Sequence, residues 1–311
     1  RLLLGLLSNY NSAMVWSRLL HALPRRRLGA QAAAAAGAAA AVAGLAVRCE
    51  ADDKVERLQS WEDRWSVNRI SWHLEDANPH LQKYLTTIID PAASVANGMG
   101  PRILVPLCGK TVDMVYLARL GYRVVGVDGV RKAIEDFAKD FGLKVPTAKG
   151  PTMHVNFPPE LDPSRFRGHA VLIPTGPEDG SRHEPPPPVI FVEGDFLGLG
   201  PEQAKALVPF EAAFDRGGFV AVEPSDRQLY ADTLGHLMAP GGRILLVAVE
   251  HDGFAGGKRG PPYQVTAEEM QQHFGGRFAV KRLGGAEALD EALRARGATR
   301  FMESVYLLTK K

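Results

Sequence analysis

From Pro101 onward, short runs of consecutive branched apolar residues alternate with stretches in which apolar positions recur every three or four residues. The first pattern marks strands buried on both faces and the second marks amphipathic helices. Ile103 to Val105 is the opening run; Pro106 ends it and Gly109 permits a sharp turn. Thr111 to Leu120 then carries Val112, Val115 and either Leu117 or Ala118 at roughly helical spacing, with Gly121 as its stop. Val124 to Val127 makes a second strand that ends in Asp128, nineteen residues beyond Gly109. Arg131 to Phe141 reads as a helix, Val189 to Val192 as the third strand and Phe210 to Asp215 as the fourth. Asp226 to Met238 reads as a helix stopped at Gly241-Gly242, before a fifth strand from Arg243 to Val249. Thr266, three residues before Glu269, opens a helix to Phe274 with a capping box. Two last strands lie near Phe278 to Leu283 and Arg300 to Leu308. This order predicts an α/β fold with a doubly wound, mostly parallel sheet.

Four stretches stand outside that rhythm. The chain starts on Arg, so the natural start is missing or internal, with Met14 a candidate. Residues 1–49 hold six arginines and no acid, followed by an Ala/Gly-rich apolar run, Ala32 to Val47. An arginine-bearing, acid-free amphipathic segment has the make-up of a matrix-targeting presequence, and we expect delivery to mitochondria with removal before about Glu50. The alternatives are a plastid address, a disordered tail on a cytoplasmic enzyme, or a signal anchor; the apolar run is short and weak for a span, which needs about 20 strongly apolar residues. Membrane contact is expected only if residues 32–47 are retained. Glu50 to Asp90 is a helical lead-in with Trp61, Trp65 and Trp72, the first two sharing a helix face. Gly150 to Pro188 holds ten prolines and shows little periodicity, reading as a disordered insertion loop, residues 150–188. Glu250 to Gln264 is glycine-rich and basic and closes on Pro261-Pro262-Tyr263, the make-up of a lid.

The 311 residues carry a formal charge of +2, but the arginine-rich start hides an acidic body: Glu50 to Lys311 has 31 basic against 35 acidic side chains. Nothing in that balance points to nucleic acid. Two cysteines exclude a disulfide framework or a cysteine-rich zinc site, and no metal is expected. The division predicted is a tail over residues 1–49 and one domain over 50–311.

An acid at the tip of the second strand is where a nucleoside ribose is held. A dinucleotide also needs a glycine-rich turn that brings backbone amides to a pyrophosphate. The loop PLCGK offers one glycine where that fingerprint has three. S-adenosylmethionine has a ribose and no phosphate, and asks only for a carboxylate and room beside the loop. The alternative for Asp128 at this point is a solvated strand end.

Seven blocks in order resemble the thiopurine S-methyltransferase family of class I methyltransferases: WEDRW at Trp61, PLCGK at Pro106, VVGVD at Val124, FDRGGFVAV at Phe214, DRQLYADT at Asp226, GPPYQV at Gly260 and the terminal YLLTKK. Together they cover about residues 58 to 311. The resemblance implies a Rossmann-like, seven-stranded sheet with an antiparallel C-terminal hairpin, S-adenosylmethionine as methyl donor, and an aromatic or heterocyclic thiol, or a selenium or tellurium compound, as acceptor. A small-molecule acceptor is implied, and we expect a monomer. Trp61, Trp65, Leu107, Gly109 and Asp128 are then expected at the cofactor, with Asp195 accepting from the adenine amino group and Phe196 packing nearby. Trp72 stands where the family has Phe; with Arg216, Pro261 and Pro262 it is expected at the acceptor, Trp72 and Arg216 also touching the cofactor. Arg216 is the expected catalytic group, biasing the acceptor toward its anion. An arginine of the family aligns with Ala292, while Arg294 and Arg296 lie close by.

Three other readings carry different expectations. A nicotinamide dehydrogenase would lack the tryptophan cover. A halide or thiocyanate methyltransferase would share the fold with a smaller acceptor. A non-catalytic, membrane-tethered binding protein would not turn over S-adenosylmethionine.

Overall fold

A computed structural model of the protein describes residues 57–70, 72–90, 100–144, 152–175, 185–207 and 209–311. Residues 1–56, on which the presequence reading falls, lie outside the described residues.

The centre is a nine-stranded sheet in the order β3-β4-β5-β2-β1-β6-β7-β9-β8. Strands β1 (Arg102–Pro106), β2 (Arg123–Asp128), β5 (Val189–Glu193), β6 (Phe210–Arg216) and β7 (Met238–His251) run parallel. Strands β8 (Phe278–Glu287) and β9 (Phe301–Lys310) are antiparallel to each other, and β9 is antiparallel to β7. These seven are the strands expected.

The other two correct the reading of residues 150–188 as a structureless insertion. Within it, β3 (Met153–Val155) pairs with β4 (Arg167–Val171), and β4 pairs antiparallel with β5. The prolines hid this because they cluster before, between and after two short strands, while Gly168 to Val171 are buried on both faces, as befits a strand paired on both sides. Residues 176–184 of that stretch lie outside the described residues.

Helices lie on both faces. Leu104, Val125 and Val127 pack with α5 (Pro201–Leu207), α6 (Arg227–Leu237) and α7 (Ala267–Phe274) on one side. Ile103, Val105 and Val124 pack with α2 (Pro79–Ile88), α3 (Asp113–Arg119) and α4 (Arg131–Phe141) on the other. Alternate residues of each central strand therefore feed two separate cores, which is why those strands are apolar without interruption. A helix through residues 57–66, α1, lies over the carboxyl ends of the strands, and α8 (Glu291–Ala295) interrupts the β8–β9 connection, so that pair is no tight hairpin.

Two local expectations met different outcomes. Thr266 and Glu269 form the capping box in both directions. The glycine pair does not end α6, which stops at Leu237; Gly241, at φ +73, sits instead in a bulge where the β6–β7 register jumps from Phe210↔Met238 to Ala212↔Arg243.

Candidate active site

Chain direction brings the loop after β1 and the tip of β2 together at the carboxyl edge of the sheet. Leu107 has φ +44 and Gly109 φ +52, so the chain turns sharply twice in three residues. Every amide from Cys108 to Thr111 is already donated inside the protein. Cys108 N–H reaches Val127 O at 3.1 Å, and Thr111 N–H reaches Cys108 O at 3.2 Å. Gly109 N–H reaches Asp128 Oδ2 at 2.7 Å, and Lys110 N–H reaches His73 Nε2 at 3.4 Å. A loop whose amides are spent this way does not cradle a pyrophosphate.

Asp128 is buried, and its Oδ1 accepts from Val130 N–H at 2.8 Å. Each carboxylate oxygen has more than one lone pair, so both retain capacity for a hydroxyl. Burial pushes this carboxyl up to about 6, against the pull of the two amides. The Cys108 thiol beside it is buried and raised well above its usual range, first by burial and then by Asp128. It packs under Gly126, where a Cβ would lie 2.7 Å from the Cys108 sulfur.

Three tryptophans and a histidine gather above this loop. The Trp72 ring meets Trp61 at 5.6 Å and Trp65 at 6.3 Å, both edge-on, and Trp65 meets His73 at 5.3 Å. Gly109 is needed beneath them: a Cβ there would lie 3.1 Å from His73 Nε2 and 3.4 Å from Trp65 Cζ2. His73 Nδ1 lies 2.9 Å from Ile70 O, a group that only accepts, so Nδ1 carries the proton and Nε2 takes the Lys110 amide. Burial, the largest cause, lowers the His73 pKa and keeps it neutral. Trp65 is buried, whereas Trp72 is 36% exposed.

α1 is tied down at its start. Arg57 Nη1 donates to Asp226 at 2.9 Å and its Nη2 to Asp195 at 3.3 Å, while Leu58 occupies the space beside Gly129. Asp195 also caps the turn that follows it, accepting Leu197 N–H at 3.2 Å. Phe196 has no exposure and packs against the Tyr230 ring at 4.9 Å, on the core side of that turn. The cleft edge here is thus formed by Asp195 and Arg57, with Phe196 behind them.

At the end of β6, Arg216 Nη1 donates to the Trp72 carbonyl at 2.6 Å, and its Nη2 stands 4.0 Å from Glu303, which in turn bonds His80 at 3.0 Å. The preceding Asp215 is buried, accepts Tyr230 O–H at 2.8 Å and the Gly218 and Phe219 amides, and has its carboxyl pushed by burial up to about 6. It shapes the turn that presents Arg216. Across the cleft, Tyr263 N–H bonds Val220 O at 2.7 Å, Arg296 holds Pro261 O at 2.8 Å and His251 meets Pro262 O at 2.9 Å. Sequence reasoning gave His73, Arg57, His251 and Glu303 no role; each acts on a partner between 11 and 223 positions away, beside the local His73–Ile70 and His251–Gly253 bonds, and no short motif announces them.

The thiopurine S-methyltransferase family model matches residues 56–157 and 179–311. The chain belongs to the thiopurine S-methyltransferase family. The unmatched interval 158–178 includes β4 and most of its lead-in. Among relatives, it is 30% identical over 253 residues to a thiopurine S-methyltransferase of Pseudomonas aeruginosa (strain UCBPP-PA14), covering 80% of this chain and 97% of that one. A Pseudomonas entomophila (strain L48) thiopurine S-methyltransferase is 31% identical over 252 residues, covering 80% and 98%. Among solved structures, a magnesium protoporphyrin IX methyltransferase of Synechocystis PCC 6803 superposes with TM-score 0.49 at 11% identity, covering 82% of this chain and 100% of that one.

As a member of this family, the protein is an S-adenosylmethionine-dependent methyltransferase with a class I methyltransferase fold. The cleft fits that cofactor on its own chemistry: a strand-tip carboxylate with spare acceptor capacity for ribose hydroxyls, a loop with no amide offered to a phosphate, and tryptophans packed tightly over Gly109. Among the described residues, no cluster of His, Cys, Asp and Glu could hold a metal, and no helix is long and apolar enough to cross a membrane.

Proposed function

We propose that this family member methylates the sulfur of an aromatic or heterocyclic thiol. The observation that carries the reading is the pairing of Trp72 with Arg216: a partly exposed indole and a guanidinium bonded to that residue's own carbonyl. A flat ring stacks on an indole face, and a cation one residue's width away favours the ionised sulfur. The relatives' names, all thiopurine S-methyltransferases, support the same acceptor class.

The bound cofactor supplies a methyl group already activated on a sulfonium sulfur. The protein's own residues have little proton transfer to perform. Trp61, Trp65 and Trp72 exclude water from the cleft, and Asp128 orients the nucleoside. A guanidinium has five N–H donors, so the bond to Trp72 leaves Arg216 others with which to meet a thiolate. Aromatic thiols ionise readily, and Arg216 need only bias that equilibrium. Pro261 and Pro262 form the opposite wall. Residues 1–49, with six arginines and no acid, support delivery of this activity to mitochondria.

The test is transfer of label from methyl-labelled S-adenosylmethionine to a benzenethiol or a mercapto-heterocycle by the full chain, the product read by NMR. An S-methyl product supports the proposal. Turnover with no aromatic thiol ends it.

A further inference from the structure

Pro261 and Pro262 have no N–H, so their carbonyls are the only polar backbone groups by which that wall can be held. Each carbonyl is taken by one side chain. Arg296 Nη2 donates to Pro261 O at 2.8 Å, and His251 Nε2 lies 2.9 Å from Pro262 O. Both side chains rest on one ring, for the Arg296 guanidinium lies 3.9 Å over Phe254 and the His251 ring 4.7 Å from it. His251 is buried, and its other face stacks on Phe301 at 5.6 Å, 5° from parallel.

The partners of His251 determine its tautomer. Gly253 N–H, which can only donate, points at Nδ1 at 3.0 Å, so Nδ1 is the bare nitrogen. The Pro262 carbonyl only accepts, so Nε2 carries the proton. A second proton on Nδ1 would meet the Gly253 N–H head-on. We propose that His251 and Arg296 are positioning residues that hold the Pro261–Pro262 wall against the acceptor, His251 as the Nε2–H tautomer that the Gly253 amide selects. The inference rests on the reading of that wall as the acceptor's.

The surroundings keep His251 neutral near pH 7. Burial is the largest cause and lowers its pKa; Pro262 O and Asp252 oppose this and Arg296 reinforces it. Asp252 is its chain neighbour and Arg296 comes from the end of α8, whereas β9 and the turn after β7 face it with Phe301 and Phe254, which do not titrate. The neutral ring with its proton on Nε2 therefore holds the wall at neutral pH.

The experiment uses the full chain, an aromatic thiol ionised throughout the range, and steady-state kinetics at pH 7 and 8. H251F keeps the ring stacking and loses the donor, and should raise the acceptor KM about three- to tenfold, the worth of one neutral hydrogen bond, with the S-adenosylmethionine KM moving much less. H251Q keeps a neutral N–H donor, and should show a parent-like acceptor KM. An H251F acceptor KM equal to the parent's at both pH values overturns the proposal. P261A separates the two ideas. If it alters acceptor KM while H251F does not, the wall reading stands and the hold is refuted. If neither alters it, both are refuted. Independently of turnover, imidazole nitrogen NMR should show His251 as the Nε2–H tautomer at pH 7; a charged or Nδ1–H ring would contradict the proposal directly.

Discussion

The Asp128 carboxylate accepts the Gly109 amide at 2.7 Å, so the tip of the second strand fixes the loop that leaves the first. The residue expected to hold the ribose thus also sets the shape of the cofactor loop. Asp128→Asn keeps the volume but replaces one acceptor oxygen by a donor. It should weaken S-adenosylmethionine binding at least about tenfold, since hydrogen bonds to a charged group are worth about 1.5–3 kcal/mol and about 1.4 kcal/mol is one decade. Calorimetry checks this, with NADH failing to compete. Asp128→Ala should also lower the melting temperature, because the Gly109 and Val130 amides lose their acceptor.

Burial also makes that binding depend on pH. The Asp128 carboxyl lies near 6, and the ribose needs its ionised form as acceptor. The S-adenosylmethionine Kd should be flat above about pH 7 and rise as pH falls through about 6, by at most tenfold per unit for one proton taken up. Asp128→Asn should remove this slope, and a wild-type Kd constant down to about pH 5 would contradict it.

Arg216 donates to the Trp72 carbonyl and, in the proposed function, also meets the acceptor. Arg216→Ala should lower kcat/KM for the thiol by roughly ten- to a hundredfold, from a lost charged hydrogen bond of about 1.5–3 kcal/mol. The deficit should grow at low pH, where the thiol must ionise on the enzyme, and shrink above the thiol's own pKa. Arg216→Lys keeps charge without the planar fork and should lose less. Rates of the Ala variant equal to the parent's at every pH would remove Arg216 from the reaction.

The sheet leaves no room at Gly126, where a Cβ would lie 2.7 Å from Cys108 Sγ and 2.9 Å from Met114 Sδ. Gly126→Ala should cost about 1–3 kcal/mol by overpacking, read as a lower melting temperature. Adding Cys108→Ala removes the nearer sulfur and should return part of the loss. Double-mutant values that simply add would contradict a direct contact.

The central sheet was legible because its strands are buried on both faces and read as unbroken apolar runs, as at Ile103–Val105 and Val124–Val127. The edge was not: β3 and β4 are three and five residues long and set among prolines, so no periodicity accumulates. In the site, Trp61, Trp65, Trp72, Gly109 and Arg216 come together as expected, while Phe196 turned into the core behind Asp195, an outcome that depends on Tyr230 from a distant helix. The residues that fasten the cleft, Arg57, His251 and Arg296, act on partners far along the chain, and no local pattern encodes such pairings.

The N-terminal proposal is separable from the chemistry. A fusion of residues 1–55 to a fluorescent protein should localise to mitochondria, as expected for six arginines without an acid. A cytosolic fusion would contradict it.

The acceptor class is tested most directly by kcat/KM, measured side by side with saturating S-adenosylmethionine for an aromatic thiol, selenite, iodide and thiocyanate. The pairing of Trp72 and Arg216 predicts that the aromatic thiol is preferred over iodide and thiocyanate by about two- to tenfold, the worth of one stacked ring, since the guanidinium can meet all three as anions. Iodide or thiocyanate methylated as fast as the thiol, or faster, would contradict it.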